Sequence, residues 1–514
     1  MLPRMREPTP ALSSTFLGNY VNGQFEGPEG ASSPGSRFRS ENPATLETVC
    51  EAFGDPDSVA RAVDAAHTAW PSWRRLSVAE RAAALQRVAL AVPEHAPGIA
   101  EMITAEMGKV HSEALIEAKS VAQKLQDTIA LYPHELAGAA PGAPGEQRHR
   151  PVGVVAIIGP FNFPVHLINT HLLPALLAGN TVVAKVSELT PLTGQRYAAL
   201  FHAAGLPPGV FNLVQGGGPV GHALVTHPSV RGVIFTGSYN TARRIRQALF
   251  DMPEKKLALE LGGKNPVVVL DDVGADTARL DHAVREILLG ALFTAGQRCT
   301  ATSRVIATPG VAPALRERLA AAFRAIRPGD PTLAETFLGP LASQTATRHF
   351  LKGLEAAKAD GARVLVESEH LGACFVTPSL YEVTGHESIV HEELFGPNVA
   401  FELATDESDA FRRAANSRFG LSAAIFTESK DAFEAFVDAV PTGVVNWNRS
   451  TNGASGLLPF GGIGMSGNYW PGGSGSLRMG TYPVAVMQIP STQRTPNAAL
   501  DAALAGTSRP VTPA

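Results

Sequence analysis

Between residues 152 and 250 short, almost wholly apolar runs alternate with segments of helical periodicity, and few folds accept that rhythm. Residues 152–158, 181–184, 210–214, 232–235 and 257–261 read as strands; 165–177, 192–204, 220–225 and 241–250 read as helices. Strands without polar alternation are buried on both faces, so the expected product is a parallel sheet with helices on either side. This is a doubly wound, nucleotide-binding pattern. Ligands in such sheets sit at the carboxyl ends of the strands, here the loops 159–164, 185–188, 215–218 and 236–238.

A second α/β series follows residue 299, with strands expected at 304–307, 363–366, 375–381, 423–426 and 444–447, and helices at 314–325, 345–359, 408–415 and 432–440. Ahead of the first series, 57–132 is helical, with separate segments at 79–92 and 99–107. Residues 1–40 are rich in Pro, Gly and Ser and read as a surface arm whose apolar island, 16–25, suits a hairpin. The Gly/Pro-rich stretch 133–151 marks a boundary or a protruding strand pair.

A chain of 514 residues exceeds one hydrophobic core, so two or three domains are expected. With 45% hydrophobic residues, 18% charged and a net charge of -4, disorder and a polyanion-binding surface are disfavoured, and nucleic acid is not an expected partner. Cys50, Cys299 and Cys374 are widely spaced, which supports neither a disulfide framework nor a thiolate metal site. No apolar run of about 18 residues occurs, and no apolar segment follows the basic start. The expectation is a soluble, cytoplasmic protein with no metal and no membrane contact.

Cys299 is the candidate nucleophile. Val284, Ile287, Leu288, Ala291 and Leu292 give the preceding helix one buried face, and Gly296 offers a stop. Arg298 is the adjacent positive charge that would favour the thiolate. A buried structural cysteine is the plainer alternative. The other candidates also have two readings each. Lys185 and Glu188, just after a strand, suit the hydroxyls of an adenosine ribose or form a solvated pair. The turn Phe235-Thr-Gly-Ser238 opens a helix whose N–H groups can hold a pyrophosphate, although a GxGxxG fingerprint is absent. Glu260, at a strand end before Gly262-Gly263, is a general base or a solvent-facing carboxylate. Asn162 is an oxyanion donor, with the Cys299 N–H as second donor, or a turn residue.

Taken in order, Gly159-Pro-Phe-Asn-Phe-Pro164, Lys185-Val-Ser-Glu188, Phe235-Thr-Gly-Ser238, Glu260-Leu-Gly-Gly-Lys-Asn-Pro266, Gly296-Gln-Arg-Cys-Thr300, Glu392-Glu-Leu-Phe-Gly-Pro397 and Pro459-Phe-Gly-Gly462 resemble the aldehyde dehydrogenase superfamily. The resemblance covers about residues 16 to 490. Ser187-Glu-Leu-Thr-Pro191, Gly205-Leu-Pro-Pro-Gly-Val-Phe-Asn-Leu-Val-Gln215, Gly443-Val-Val-Asn-Trp-Asn448 and Pro459-Phe-Gly-Gly-Ile-Gly-Met-Ser-Gly-Asn468 are most similar to the N-succinylglutamate 5-semialdehyde dehydrogenases of arginine catabolism.

That resemblance implies an NAD-binding domain from 1–132 with 152–260, a catalytic domain at 261–476, a small β oligomerisation arm from 133–151 with 477–495, and a tail at 496–514. Homodimers or homotetramers are implied. It also implies that Cys299 attacks an aldehyde, that Asn162 and the Cys299 N–H hold the oxyanion, and that Glu260 activates water. Ile158, Gly159, Pro160, Phe161, Lys185, Ser187, Glu188, Gly218, Phe235, Thr236, Gly237, Ser238, Leu261, Gly262, Glu393 and Phe395 would bind NAD, with Glu188 repelling a 2′-phosphate. Phe163, Arg298, Arg449 and Phe460 would face the substrate. Arg298 and Arg449 suit a substrate carboxylate by their planar forks, although an exposed Arg449 has no need of a ligand.

Val186 stands where the family usually has Pro, Ala242 where many members have Gly, and Phe161 where Trp is common. The first two fall in the cofactor pocket and bear on NAD or NADP preference. Other readings compete: an aldehyde dehydrogenase of another substrate class, aliphatic or other semialdehyde; a cysteine hydrolase, against which the lack of a His close in sequence and the paired nucleotide features argue; and two more. One is a CoA-acylating semialdehyde dehydrogenase, against which Glu260 argues for water. The other is a silent scaffold, against which the intact Cys299, Glu260 and Asn162 argue.

Overall fold

A computed structural model describes residues 15–27, 37–136, 145–470, 472–488 and 495–505. Its framework is a pair of 7-stranded sheets. In the first, Val154–Ile158 lies between Val230–Thr236 and Thr181–Lys185, with Lys256–Glu260 beyond the former and Phe211–Val214 beyond the latter, all parallel. The chain leaves the central Val154–Ile158 in one direction and later returns on its other side. That reversal opens a crevice at the carboxyl ends of Val154–Ile158 and Val230–Thr236, where the loops after residues 158 and 236 begin.

The hairpin Asn19–Val21/Gln24–Glu26 extends this sheet antiparallel beside Phe211–Val214, through Tyr20 opposite Leu213. Asn22 and Gly23 sit at φ 51° and 82°, as a two-residue hairpin turn requires. Asn19, Tyr20 and Val21 are buried, and the Asn19 side chain accepts the Gln215 N–H at 2.7 Å. This part of the N-terminal region is therefore an edge of the sheet and not a surface arm, because polar side chains reach into the neighbouring strand end.

The second sheet runs Arg363–Val366, Ser379–Val383, Asn398–Leu403, Thr302–Ala307, Asn265–Val269, Ser422–Phe426, Val444–Trp447, parallel except for its first pair. Asn265–Val269 and Asn398–Leu403 were not expected from the sequence. Each lies just after a Gly-containing motif whose turn signals mask the strand start. Expected strand 375–381 is Ser379–Val383.

Val78–Met107 forms one helix through Pro93 and Pro97, where separate segments were expected. A capping box, Ser77 with Glu80, starts it. Its face Leu85, Val88, Val92, Ile99 and Ile103 is continuously buried, and that packing outweighs the roughly 3 kcal/mol each interior proline costs. His111–Glu135 packs on it. Gly145–Pro151 pairs antiparallel with Thr481–Met487, and Ala498–Leu504 is a helix with no buried residue; residues 137–144 and 489–494 of the expected arm lie outside the described ones. No helix among the described residues is long and apolar enough to cross a membrane.

Candidate active site

A cleft of about 880 Å³ opens at the reversal point of the first sheet. It is lined by Ile158, Gly159, Pro160 and Phe161 from the first loop, Lys185, Ser187 and Glu188 from the second, Gly218, and Phe235, Thr236, Gly237 and Ser238 from the fourth. Leu261, Gly262, Glu393 and Phe395 close it, and Asn162 and Cys299 stand at its far end. The structure thus gathers all of the residues named for the cofactor into one space. It adds Leu167, His222 and Arg244, which carried no motif signal.

Polar groups punctuate the cleft. Lys185 is buried, donates to the Val186 carbonyl at 2.9 Å and lies 3.7 Å from Glu188, whose side chain is half exposed. Burial holds the Lys185 pKa below its ordinary value, and Glu188 opposes that shift. Ser238 caps the helix Tyr239–Ala248 by accepting the Thr241 N–H. Val186 and Ala242 are buried and supply packing in place of the usual Pro and Gly. Glu393 accepts the Gly263 N–H at 2.8 Å, and a Cβ on Gly262 would lie 2.0 Å from the Glu393 carboxylate, so any side chain there would displace Glu393. Burial pushes the Glu393 pKa up to about 7.

Cys299 is carried on a strained turn. The helix Thr277–Leu292, capped by Asp276, ends at Leu292, short of the expected stop at Gly296. Thr294, Ala295 and Gly296 then take left-handed φ of 55°, 53° and 71°. Two successive non-glycine residues in that region cost about 1–2 kcal/mol each, so the turn must be held from outside. The Glu113 carboxylate does so, accepting the Thr294 N–H at 3.2 Å, the Thr294 hydroxyl at 2.7 Å and Arg298 Nη2 at 2.9 Å. Gln297 Oε1 accepts the Ala342 N–H at 2.9 Å, and Asn265 Nδ2 donates to the carbonyls of Cys299 and Ala301 at 2.8 and 2.9 Å.

The Cys299 side chain remains partly exposed to the cleft. Burial, and then the Glu393 and Glu260 carboxylates, push its thiol up to about 12. Arg298 acts in the opposite direction but does not prevail. Arg298 thus favours the thiolate, as its place in the sequence suggests, but it is paired with Glu113 and does not outweigh burial.

Asn162 is 3% exposed, and its Nδ2 donates to the Gln297 carbonyl at 2.8 Å. That bond uses one amide proton and leaves the other. Glu260 is buried at the end of Lys256–Glu260, not solvent-facing. One carboxylate oxygen accepts the Gly472 N–H at 3.1 Å; the other is buried without a hydrogen-bond partner among the described residues. Burial raises its pKa well above the usual carboxylate range.

A family model for the aldehyde dehydrogenase family matches residues 31–483. The chain belongs to the aldehyde dehydrogenase family. This aldehyde dehydrogenase is therefore an oxidoreductase acting on aldehydes. It is 37% identical over 480 residues to an N-succinylglutamate 5-semialdehyde dehydrogenase of Escherichia coli K12, covering 92% of this chain and 96% of that one. A protein of the same name from Salmonella paratyphi B is also 37% identical, covering 92% and 95%. Among solved structures, Escherichia coli lactaldehyde dehydrogenase superposes with a TM-score of 0.85 at 30% identity, covering 91% and 98%. A Pseudomonas syringae aldehyde dehydrogenase C mutant in complex with NAD+ and octanal gives 0.87 at 29% identity, covering 93% and 98%.

On the far side of Cys299 the aldehyde dehydrogenase presents an aromatic and charged wall. The Phe163 ring lies 3.7 Å under Lys109 Nζ and 5.0 Å from the Arg298 guanidinium. Lys109 forms a buried ion pair with Glu117 at 2.5 Å, and Glu117 also accepts the N–H groups of Val165 and His166. Phe460 pairs with Gly472 in a short antiparallel ladder, next to the Gly472 N–H that holds Glu260. Arg449 is exposed, on the loop after Val444–Trp447. Glu113, Glu117 and Lys109 were missed in the sequence, since each sits on an ordinary charged helix face or end and is made significant only by what packs on it. Asn265 and Gln297 were inside quoted motifs, where their side chains could have been suspected as loop anchors.

Proposed function

We propose that this enzyme oxidises an aldehyde to a carboxylic acid with NAD as hydride acceptor and water as acyl acceptor, and that its substrate is N-succinyl-L-glutamate 5-semialdehyde. The observation that carries the reaction is the convergence of Cys299 and Asn162 on one cleft end with the buried carboxylate Glu260 close enough to act on the thiol's charge. The substrate rests on the names of the similar proteins, which cover nearly the whole chain.

The residues present suit a dinucleotide. Gly217 and Gly218 leave open space above the strand ends, and Lys185, Glu188 and Glu393 offer groups for ribose hydroxyls. Glu188 disfavours a 2′-phosphate by charge. When bound, NAD supplies the acceptor for the hydride of the thiohemiacetal.

This chain's own residues do the rest. The Cys299 sulfur attacks the aldehyde carbon, and the developing oxyanion is held by the free amide proton of Asn162 and the Cys299 N–H. The neutral thiol must lose its proton first; Glu260, once ionised, is the acceptor. That proton passes on to solvent before the thioester stage, when the Glu260 carboxylate takes a proton from the attacking water and returns it to the departing sulfur, releasing the acid and the thiol. A buried base with a raised pKa requires kcat to climb with pH until Glu260 is ionised. The strand pair Gly145–Pro151/Thr481–Met487 is the proposed contact in a homodimer or homotetramer.

The test is NADH absorbance with N-succinylglutamate semialdehyde and a panel of uncharged aliphatic aldehydes, alongside Glu260→Gln. Turnover favouring the dicarboxylate is expected, with NADH formation strongly slowed from the first turnover in Glu260→Gln, because the thiol then lacks its proton acceptor. Turnover of only uncharged aldehydes would remove the substrate assignment. Turnover that needs CoA would replace water as the acyl acceptor.

A further inference from the structure

The two cations that lie over the Phe163 ring already have carboxylate partners: Lys109 is paired with Glu117, and Arg298 with Glu113. Lys124 is different. It lies on the helix His111–Glu135, is 5% exposed, and among the described residues donates from Nζ only to the Gly473 carbonyl, at 3.3 Å. Among the described residues no carboxylate is within ion-pair distance of it. Asp127, on its own helix, interacts with it at longer range and is held by Gln123. From the helix His166–Leu177, His166 and His171 interact with it; burial lowers the pKa of both, to about 3 for His171, and Lys124 adds to each shift.

The position of this ammonium matters as much as its lack of a partner. Gly472–Gly473 forms a two-residue strand against Pro459–Phe460. Gly472 N–H holds the Glu260 carboxylate and Gly473 C=O holds Lys124, so base, aromatic residue and cation hang on one short ladder. A buried ammonium is costly unless a charge meets it. We propose that Lys124 is the specificity-determining residue for a carboxylate on the aldehyde substrate, its ammonium exchanging the Gly473 carbonyl for the substrate's carboxylate oxygen. This rests on the substrate class proposed above, and it moves the carboxylate contact away from Arg298, whose fork is engaged by Glu113 and Thr294.

The experiment compares kcat and KM of the wild type, Lys124→Met, Lys124→Gln, Lys124→Arg and Arg298→Ala, with N-succinylglutamate semialdehyde and with its methyl esters, and follows thermal unfolding of each. Lys124→Met is expected to raise KM for the carboxylated aldehyde at least about tenfold, equivalent to roughly 1.4 kcal/mol, with kcat changed far less. The acid-to-ester ratio of kcat/KM falls with it, and Lys124→Arg restores most of the ratio. Lys124→Gln carries the test should the methionine variant unfold. An unchanged ratio in a folded, charge-free variant overturns the role of Lys124, as does a larger loss of ratio in Arg298→Ala. A wild type with no preference for the acid over the ester overturns the substrate class itself, and this inference with it.

Discussion

The two ends of the cleft are built on opposite plans. At the proposed nucleotide end, Lys185, Glu188 and Ser238 sit at or just beyond the ends of parallel strands, and their main contacts are with near neighbours in the chain. At the cysteine end, the loop is left-handed and is clamped by Glu113, which lies 185 residues before Arg298, and by Asn265 and Ala342. A strand end presents groups to a ligand with no further help. A strained turn carrying a nucleophile needs remote partners, because nothing local offsets the cost of its backbone. The contrast extends to charge: the Lys185–Glu188 pair is half open to water and worth little by itself, whereas Glu113–Arg298 is mostly buried.

The sharpest way to break this comparison is chemical. With its thiol raised to about 12, Cys299 should be alkylated by iodoacetamide at a rate rising about tenfold per pH unit from pH 7 to 10, since only the thiolate reacts. A plateau below pH 8 would mean that Arg298 wins after all.

Next in size is Glu113→Ala, which releases the turn. A loss in kcat of about 10- to 100-fold is expected from nucleophile misplacement, with the KM for NAD nearly unchanged; a mainly KM effect on NAD would show that the two ends are coupled. Glu188→Gln should do the reverse. Its expected effect is a rise of roughly three- to tenfold in KM for NAD, worth about 1 kcal/mol, at near-normal kcat, together with improved use of NADP; initial rates with both cofactors check it.

The smallest effect is expected from Ala295→Gly. Relief of the left-handed backbone, about 1–2 kcal/mol, is offset by the larger unfolded-state freedom of glycine, about 0.4–1 kcal/mol. Chemical denaturation should find the variant within about 1 kcal/mol of the wild type; a larger loss would mean that the buried Ala295 methyl, not strain, dominates there.

Much of the fold was legible because apolar runs report burial directly. The strands around residues 154–158, 181–185 and 230–236 and their intervening helices stand within a few residues of where periodicity puts them. Asn265–Val269 and Asn398–Leu403 were obscured by turn signals at their starts, although both are central in their sheet. The segments 79–92 and 99–107 are one helix, Val78–Met107, because its continuously buried face overrides Pro93 and Pro97. In the site, Arg298 illustrates the limit. Its neighbour in sequence, Cys299, suggested an activating charge, and Arg298 does pull the thiol pKa down, but burial outweighs it and its neighbour in space, Glu113, holds its guanidinium.

What the sequence determined by itself is the set of groups available and the order in which strands present them. Alternation and loop position are local properties, so Asn162, Lys185, Glu188, Glu260 and Cys299 could each be placed at a strand or helix end. Only the tertiary structure decided which charges remain available. Lys109, Lys124 and Arg298 are equivalent as letters in a chain, but Coulomb interactions fall with distance and depend on burial. Folding brings Glu117 to the first and Glu113 to the last, and leaves Lys124 facing a backbone carbonyl.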